Sequence, residues 1–237
     1  MTMIGLLSEC ILLSYRTPVG SVRSLVPRQL ELVTHGDWAF WNIVACRIES
    51  MRPTGVPRVF GIAYHHVAYR LYVRAQTRNG TVLDGLYFVQ SNADSRVMVM
   101  TGNLLSDFQF HFAPVELSGD STNIAFSVKH PKEAAHCIAR QMPAFELQPG
   151  SCFNSPEEAK AFLKYRPVGI AIDGAGKQLK LAEVIRDETA WEEVPLTVES
   201  ARWQFLKGLG QAETHLELAT RVRPIEYRWR LGKKVAV

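Results

Sequence analysis

The first half of the chain contains no lysine. The first lysine is Lys129, and before it the basic side chains are arginines and histidines. A lysine amine can lose its proton and act as a nucleophile when it is desolvated, whereas an arginine guanidinium stays protonated. The absence therefore excludes lysine chemistry from any site whose reactive groups come from the first half of the chain.

Signals for several common classes of protein are also missing. The chain has no G-x-S-x-G and no H-E-x-x-H motif, so the commonest hydrolase and zinc-protease signatures are absent. Residues 174–177 (Gly-Ala-Gly-Lys) lack the first glycine and the Ser/Thr of a phosphate-binding loop, and we interpret them as part of a hairpin turn. The spacing of His130, Glu133, His136 and Cys137 matches no common zinc pattern, so we predict neither a metal site nor a cofactor.

Cysteine pairs and long apolar runs are lacking as well. Cys10, Cys46, Cys137 and Cys152 show no C-x-x-C spacing, which predicts buried thiols in a reducing compartment. Residues 6–13 are apolar, but polar residues interrupt them and no basic segment precedes them, so they do not resemble a signal peptide. No run approaches the roughly 20 residues that a membrane-spanning helix needs. We therefore expect a cytoplasmic protein that does not enter a membrane.

The charge is nearly balanced, with 27 Lys and Arg against 23 Asp and Glu and a net charge of +4. The arginines are spread along the chain rather than clustered, which predicts no nucleic-acid binding. The 47% of hydrophobic residues suffices for a core, and no repeat or linker divides the 237 residues. Many short strand-like segments with a few short helices predict one mainly β domain over residues 1–237.

The strongest local signal is Asn-Gly at residues 79–80, which predicts a hairpin with a two-residue type I′ turn. In that register Leu71 lies opposite Phe88, and Tyr72 lies opposite Tyr87. The first pair belongs to an apolar face and the second to a polar face. Because a slip of one residue would exchange the two faces, the pattern itself supports this register.

The polar face of the hairpin carries His66, Arg70, Tyr72 and Arg74, and two interpretations remain open. It is either a solvated sheet surface or the polar wall of a pocket inside a curved sheet. Neighbouring arginines would keep His66 neutral, and a neutral imidazole there either binds an anion, moves a proton or is merely solvated. An enclosed Arg70 needs a paired acid, a bound anion or hydrogen bonds to every donor, and the predicted register places Asp84 on the other face.

Several stretches resemble a known superfamily. Residues 14–27 (Ser-Tyr-Arg-Thr-Pro-Val-Gly-Ser-Val-Arg-Ser-Leu-Val-Pro) resemble the start of acetoacetate decarboxylases. Residues 70–74 (Arg-Leu-Tyr-Val-Arg), 85–88 (Gly-Leu-Tyr-Phe) and 161–166 (Ala-Phe-Leu-Lys-Tyr-Arg) are similar to the YqjF-like uncharacterised family of the same superfamily. The resemblance extends over most of the chain. It implies a closed, cone-like antiparallel β-barrel with a few short peripheral helices and a pocket within.

The resemblance also implies which chemistry is missing. In the decarboxylases a lysine in a P-K-K sequence forms a Schiff base with a β-keto acid, but the corresponding residues here, 96–105, include no lysine. Two glutamates of the superfamily fall near Asn42 and His66. We therefore expect a site that binds a small organic anion, such as a carboxylate or keto acid, without Schiff-base chemistry. The predicted binding residues are Asn42, His66, Arg70, Tyr72 and Tyr87.

Three hypotheses about function remain open. The protein is a small-molecule binding protein, a lyase or hydratase that uses His66 as proton carrier, or a non-catalytic interaction module whose barrel is packed shut. An open pocket with polar walls would favour the first two, and a plugged apolar interior would favour the third. The expected partner is a small anionic molecule, and the sequence leaves open both catalysis and a homo-oligomeric state.

Overall fold

The structure, a computed structural model, describes residues 1–173, 176–210 and 213–236, which are mostly β-strand with a few short helices. The strands are β1 (Thr2–Pro18), β2 (Leu30–Leu32), β3 (Thr34–His35), β4 (Trp38–Pro53), β5 (Ile62–Gln76), β6 (Val82–Ala93), β7 (Phe110–Phe112), β8 (Val115–Gly119), β9 (Asn123–Val128), β10 (Ala135–Gln141), β11 (Val168–Ile172), β12 (Gln178–Arg186), β13 (Glu193–Trp203), β14 (His215–Val222) and β15 (Ile225–Ala236). The helices are α1 (Val19–Val22), α2 (Arg96–Ser106), α3 (Pro156–Leu163) and α4 (Gln204–Gly208).

Seven of these strands pair with one another in a closed order that we call the strand ring. Strand β1 pairs with β4, and the pairing continues through β5, β6, β11, β12 and β15 back to β1. Only the β6–β11 pair is parallel among these contacts. The ring is a strongly curved, mainly antiparallel sheet, which confirms the predicted fold class.

The long strand β1 belongs both to the strand ring and to a second group of strands. Its residues 2–7 pair with β15, whereas residues 10–16 pair with β14. From β14 the sheet continues through β13, β10, β9 and β8. One strand thus fixes the second group against the outside of the ring.

Alternate side chains of the ring strands enter two different cores. Ile11, Trp41 and Leu71 point outward and pack in one cluster with side chains of the second group, such as Phe126 and Trp203. Alternate residues such as Cys10, Leu12, Val44 and Ala68 point the other way, into a cluster that draws side chains from all seven ring strands. This is the two-residue period of a β-strand, and it places the even-numbered residues of β4 and β5 inside the ring.

The hairpin between β5 and β6 forms where the Asn-Gly pair predicts it, but its register over residues 70–76 differs from the prediction by one residue. An irregularity between Tyr69 and Arg70 restores the predicted register over residues 66–69. The loop contains residues 78–80, because the Thr77 amide donates to the Thr81 carbonyl at 2.9 Å. Only Gly80 of this loop has positive φ, at +82°, so the turn is not type I′. The extra loop residue places Leu71 opposite Tyr87 rather than Phe88, and the predicted pairing is wrong.

The shifted register also changes the partner of Arg74. Asp84 lies directly opposite Arg74, and its carboxylate accepts from Arg74 Nε at 2.7 Å and Nη2 at 3.1 Å. The prediction that placed Asp84 on the other face is therefore wrong. Arg74 still reaches the surface, as its position near the turn predicts.

Two helices begin directly after a serine that caps their first turn. The hydroxyl of Ser95 accepts from the Met98 amide at the start of α2, and the hydroxyl of Ser155 accepts from the Glu158 amide at the start of α3. Strands β11 and β12 pair as the predicted hairpin, but residues 174 and 175 of its turn lie outside the described residues. Within the described ranges, no helix has the length and apolar character needed to span a membrane.

Candidate functional site

Side chains inside the strand ring form three rows across β1, β4 and β5. Each row consists of residues that lie directly opposite one another in the antiparallel pairs, and successive rows are two residues apart along each strand. The first row is polar, the second is apolar, and the third carries two thiols and an imidazole. The rows are Ser14–Asn42–Arg70, Leu12–Val44–Ala68 and Cys10–Cys46–His66.

A cavity of about 60 Å³ lies within the ring, between these rows and the strands on the other side. Most of its wall is apolar or aromatic, and its basic groups are His66 and three arginines. No lysine is among the residues that line it. The lining residues are Leu7, Cys10, Leu12, Val44, Cys46, Ile48, His66, Arg70, Leu86, Phe88, Phe108, Tyr165, Arg166, Gly169, Ala182, Val184, Arg186, Trp191, Tyr227 and Trp229.

Arg70 is the most deeply buried cation of this wall, with 4% of its surface exposed. Its Nη2 donates to the Oδ1 atom of Asn42, while its Nε is buried without a hydrogen-bond partner. The guanidinium carbon lies 5.5 Å from the centroid of the Phe88 ring and 5.6 Å from that of Tyr165. Among the described residues, no carboxylate forms an ion pair with Arg70.

A buried cation with neither a counter-ion nor a full set of acceptors is unfavourable. Ring faces recover part of the lost hydration energy, roughly 1–2 kcal/mol for a desolvated cation–π contact. That is less than the several kcal/mol that removing an ion from water costs. A bound anion would supply both the missing charge and the missing acceptor, so the environment of Arg70 is complementary to a negatively charged ligand.

Arg70 is held in place by a chain of hydrogen bonds behind it. Asn42 accepts from Arg70 through Oδ1 and donates through Nδ2 to the Tyr72 hydroxyl at 3.0 Å. The Tyr72 hydroxyl in turn donates to the carbonyl of Leu163, at the end of α3, at 2.7 Å. Burial raises the pKa of Tyr72, so the phenol stays protonated and remains a donor. The chain therefore couples the position of Arg70 to that of α3.

His66 lies on the same wall with 2% of its surface exposed. Its ring packs on Phe110, with 5.1 Å between the ring centroids, and its Nε2 is buried without a partner. Burial, followed by the positive charge of Arg70, lowers the pKa of His66 to about 3. The imidazole is therefore neutral at physiological pH, as the sequence predicted from its arginine neighbours.

The two thiols of the wall lie side by side. Cys10 and Cys46 are directly opposite each other, and all four cysteines are free. Burial raises the pKa of Cys46 to about 12 and raises that of Cys10 as well. Both are neutral thiols, so they contribute apolar surface to the cavity rather than nucleophiles.

The His- and Glu-containing segment considered for metal binding lies away from the cavity. Glu133 accepts from Asn92 Nδ2 at 2.6 Å, and its other oxygen contacts His111 Nδ1 at 2.9 Å. None of these residues lines the cavity. A search of the described part of the chain finds no group of three or more side chains arranged to hold a metal ion.

The structure does not bring all the predicted binding residues together. His66 and Arg70 line the cavity, whereas Asn42 and Tyr72 stand behind Arg70. Tyr87 lies on the opposite face of the sheet, where it packs against the outer core. The cause is the loop that is one residue longer than expected, which puts Phe88 opposite Arg70 and turns Tyr87 to the other face.

Four residues line the cavity but were not predicted as site residues: Tyr165, Arg166, Arg186 and Trp191. The guanidinium carbon of Arg186 lies 3.4 Å from the centroid of Trp191 and 4.7 Å from that of Tyr165. Arg166 follows Tyr165 in the chain and lines the same cavity. All four come from segments more than seventy residues beyond β6, and no local spacing connects them with the hairpin. Residues 161–166 contributed to the family resemblance, but that signal did not indicate a role.

A family model described as an uncharacterized conserved protein, DUF2071, matches residues 7–171. The uncharacterized protein YqjF of Bacillus subtilis (strain 168) is 28% identical over 130 residues, which cover 53% of this chain and 52% of that protein. The alignment thus spans about half of the length of this curated relative.

Solved structures of other proteins share the fold. An acetoacetate decarboxylase-like enzyme from Sphingomonas wittichii RW1 has a TM-score of 0.62 at 10% identity, covering 99% of this chain and 92% of that one. The enduracididine biosynthesis enzyme MppR complexed with pyruvate has a TM-score of 0.58 at 10% identity, covering 99% of this chain and 89% of that one. At these identities the similarity establishes the fold alone.

Proposed function

The chain belongs to the DUF2071 family of uncharacterized conserved proteins, and we propose that it binds a small organic anion inside the strand ring. The proposed ligand is a carboxylate or keto acid, held without covalent attachment to the protein. The observation that carries the proposal is Arg70, a buried guanidinium that faces the cavity with no carboxylate partner among the described residues and with its Nε unsatisfied.

The chemistry around Arg70 suits a carboxylate. A guanidinium presents planar N–H donors that match the two oxygens of a carboxylate, and such charge-assisted hydrogen bonds are about twice as strong as neutral ones. Asn42 and Tyr72 fix the guanidinium from behind, so little side-chain freedom remains to be lost on binding. The neutral His66 adds a polar group in the third row, where the carbonyl of a keto acid would find a donor.

Two further observations support a non-covalent mode of binding. Lysine is absent from the lining of the cavity, and the α2 segment that corresponds to the lysine-bearing stretch of the decarboxylases contains none. The thiols of Cys10 and Cys46 are neutral and poorly nucleophilic. In the similar fold of MppR a solved complex contains pyruvate, a small keto acid of the proposed class.

A second candidate function is a lyase or hydratase that uses His66 as proton carrier. It is favoured by the unpartnered Nε2 of His66 on the cavity wall. Burial, and to a lesser extent the charge of Arg70, lower the pKa of His66 and make it a weak base. An anion bound at Arg70 would cancel the smaller of these two effects and raise the pKa of His66 only in part. The third hypothesis, an interaction module with a closed interior, leaves the buried charge of Arg70 without a role.

The proposal is tested by thermal shift with pyruvate, acetoacetate and acetate on the wild type and on Arg70→Ala. The wild type should be stabilised in a concentration-dependent way, because a ligand that binds only the folded state raises its stability. The Arg70→Ala variant should show no shift. The control is Arg74→Ala, which removes a surface arginine from the same strand and should behave as the wild type does. Equal shifts for wild type and Arg70→Ala would contradict the proposal.

A further inference from the structure

We infer that the ligand carries two acidic groups, with one bound at Arg70 and the other at Arg166 and Arg186. This inference rests on the proposed function and narrows it to small dicarboxylates. Its basis is that the same cavity is lined by three guanidinium groups and that each of them has one buried nitrogen without a partner. Those nitrogens are Arg70 Nε, Arg166 Nε and Arg186 Nη1.

Arg186 is the best-defined part of the second anchor. Its side chain is 5% exposed, and the Glu188 carboxylate accepts from its Nε at 2.9 Å and from its Nη2 at 3.2 Å. Glu188 thus holds one edge of the guanidinium, while Nη1 on the other edge stays unpartnered. The ring faces of Trp191 and Tyr165 fix the plane of the group. A guanidinium oriented in this way offers directed donors but little net charge.

Arg166 supplies the second guanidinium of this anchor. It is half-buried, and its Nη2 makes a long hydrogen bond of 3.4 Å to the carbonyl of Phe162. Among the described residues it forms no ion pair. The acids bordering this region have other partners, since Glu188 binds Arg186, Glu193 accepts from the Trp191 indole at 2.8 Å, and Asp84, which also interacts with Arg166, pairs with Arg74. Arg70 and Arg166 thus each keep a buried Nε without a partner, and two carboxylates of one ligand would supply the missing acceptors.

The two anchors lie close enough for one small molecule. Tyr165 connects them, because Arg70 and Arg186 both lie against its ring, at 5.6 Å and 4.7 Å from the centroid. Arg166 is its neighbour in the chain. Apart from its arginines and His66 the wall is mostly apolar or aromatic, with Leu12, Val44 and Phe88 among its residues. An aliphatic spacer between two carboxylates would contact such a wall.

The test compares dicarboxylates with monocarboxylates of equal chain length by isothermal titration calorimetry. Succinate and glutarate are measured against butyrate and valerate on the wild type, Arg70→Gln, Arg166→Gln and Arg186→Gln, with Arg74→Gln as the surface control. We expect the wild type to bind the dicarboxylates about tenfold or more tightly than the monocarboxylates, since a second charge-assisted contact contributes roughly 1.5–3 kcal/mol. Circular dichroism establishes that each variant is folded.

The variants separate this inference from the proposed function. Arg166→Gln and Arg186→Gln should remove the preference for dicarboxylates and weaken monocarboxylate binding much less, whereas Arg70→Gln should weaken both classes. If the wild type binds both classes equally and only Arg70→Gln weakens them, the two-anchor inference is wrong and the proposed function stands. Failure of the wild type to bind either class would overturn both.

Discussion

Arg70 donates a hydrogen bond to the side-chain amide oxygen of Asn42, which lies directly opposite it on the neighbouring strand of the ring. The partner of this buried cation is therefore a neutral group that neither balances its charge nor occupies its Nε. A carboxylate side chain in place of Asn42 would balance the charge of Arg70. The absence of charge at this one position keeps the guanidinium available to a ligand.

Replacing Asn42 by Asp tests that relationship. The aspartate has nearly the shape of asparagine and would form a buried ion pair with Arg70, while losing the donation from Nδ2 to Tyr72. The variant should therefore bind carboxylates at least about tenfold more weakly, because the charge of Arg70 is balanced from within the protein. Calorimetry measures this effect. The comparison variant is Asn42→Leu, which should weaken binding only through loss of positioning. Unchanged carboxylate affinity in Asn42→Asp would show that the charge of Arg70 is not used.

His66 should give a measurable dependence of stability on pH. Its pKa is about 3 in the folded protein and about 6.5 in the unfolded chain, so between these values only the unfolded chain binds the proton. The free energy of unfolding therefore falls as the pH decreases from about 6.5, by about 1.4 kcal/mol per pH unit from this residue alone. In His66→Gln this contribution is lost, and the wild-type curve should be steeper by about that amount between pH 6 and 4. Parallel curves would mean that His66 titrates normally.

Tyr72→Phe tests the hydrogen-bond chain behind Arg70. The substitution leaves Asn42 Nδ2 and the Leu163 carbonyl without a partner, and we expect a loss of roughly 1–3 kcal/mol in the free energy of unfolding. Carboxylate affinity should fall as well, because Asn42 is no longer fixed. The matched control is Tyr87→Phe on the other face, whose hydroxyl has no hydrogen bond within the described residues. Similar losses for the two variants would contradict the role given to Tyr72.

Two glycines with different backbone conformations should respond differently to replacement by alanine. Gly80 has φ of +82°, so Gly80→Ala should destabilise the protein by about 1 kcal/mol through backbone strain. Gly20 lies in α1 with no positive φ and open space around it, so Gly20→Ala should be neutral or stabilise by up to about 1 kcal/mol. Thermal unfolding of both variants measures the difference. A neutral Gly80→Ala would argue against the three-residue loop.

The sequence predicted which side chains of β5 share the face that lines the cavity. It did not predict which residues of β6 lie beside them. Alternation along a strand is local, so His66, Arg70 and Tyr72 were assigned correctly to one face. Which residues of β6 join them depends on the number of residues in the turn. Asn-Gly is compatible with both a two-residue and a three-residue loop, and this one ambiguity placed Tyr87 at the site instead of Phe88 and separated Arg74 from Asp84.

The opposite wall of the cavity could not be predicted from the sequence in the same way. Tyr165, Arg166, Arg186 and Trp191 reach the cavity only because the strand ring closes between β15 and β1, a contact between the two ends of the chain. Local periodicity contains no information about such long-range contacts. The absence of lysine before Lys129 was informative, because a missing residue type constrains the chemistry whatever the fold.

An anion bound at Arg70 inside the strand ring would be visible in a crystal structure. The most direct test is a crystal structure of the wild-type protein with 3-bromopropionate, whose bromine is located by anomalous scattering. We expect carboxylate density within hydrogen-bond distance of Arg70 Nε, with the bromine in the apolar part of the cavity. Bromine peaks only outside the ring, with no density at Arg70 Nε, would show that no anion binds there.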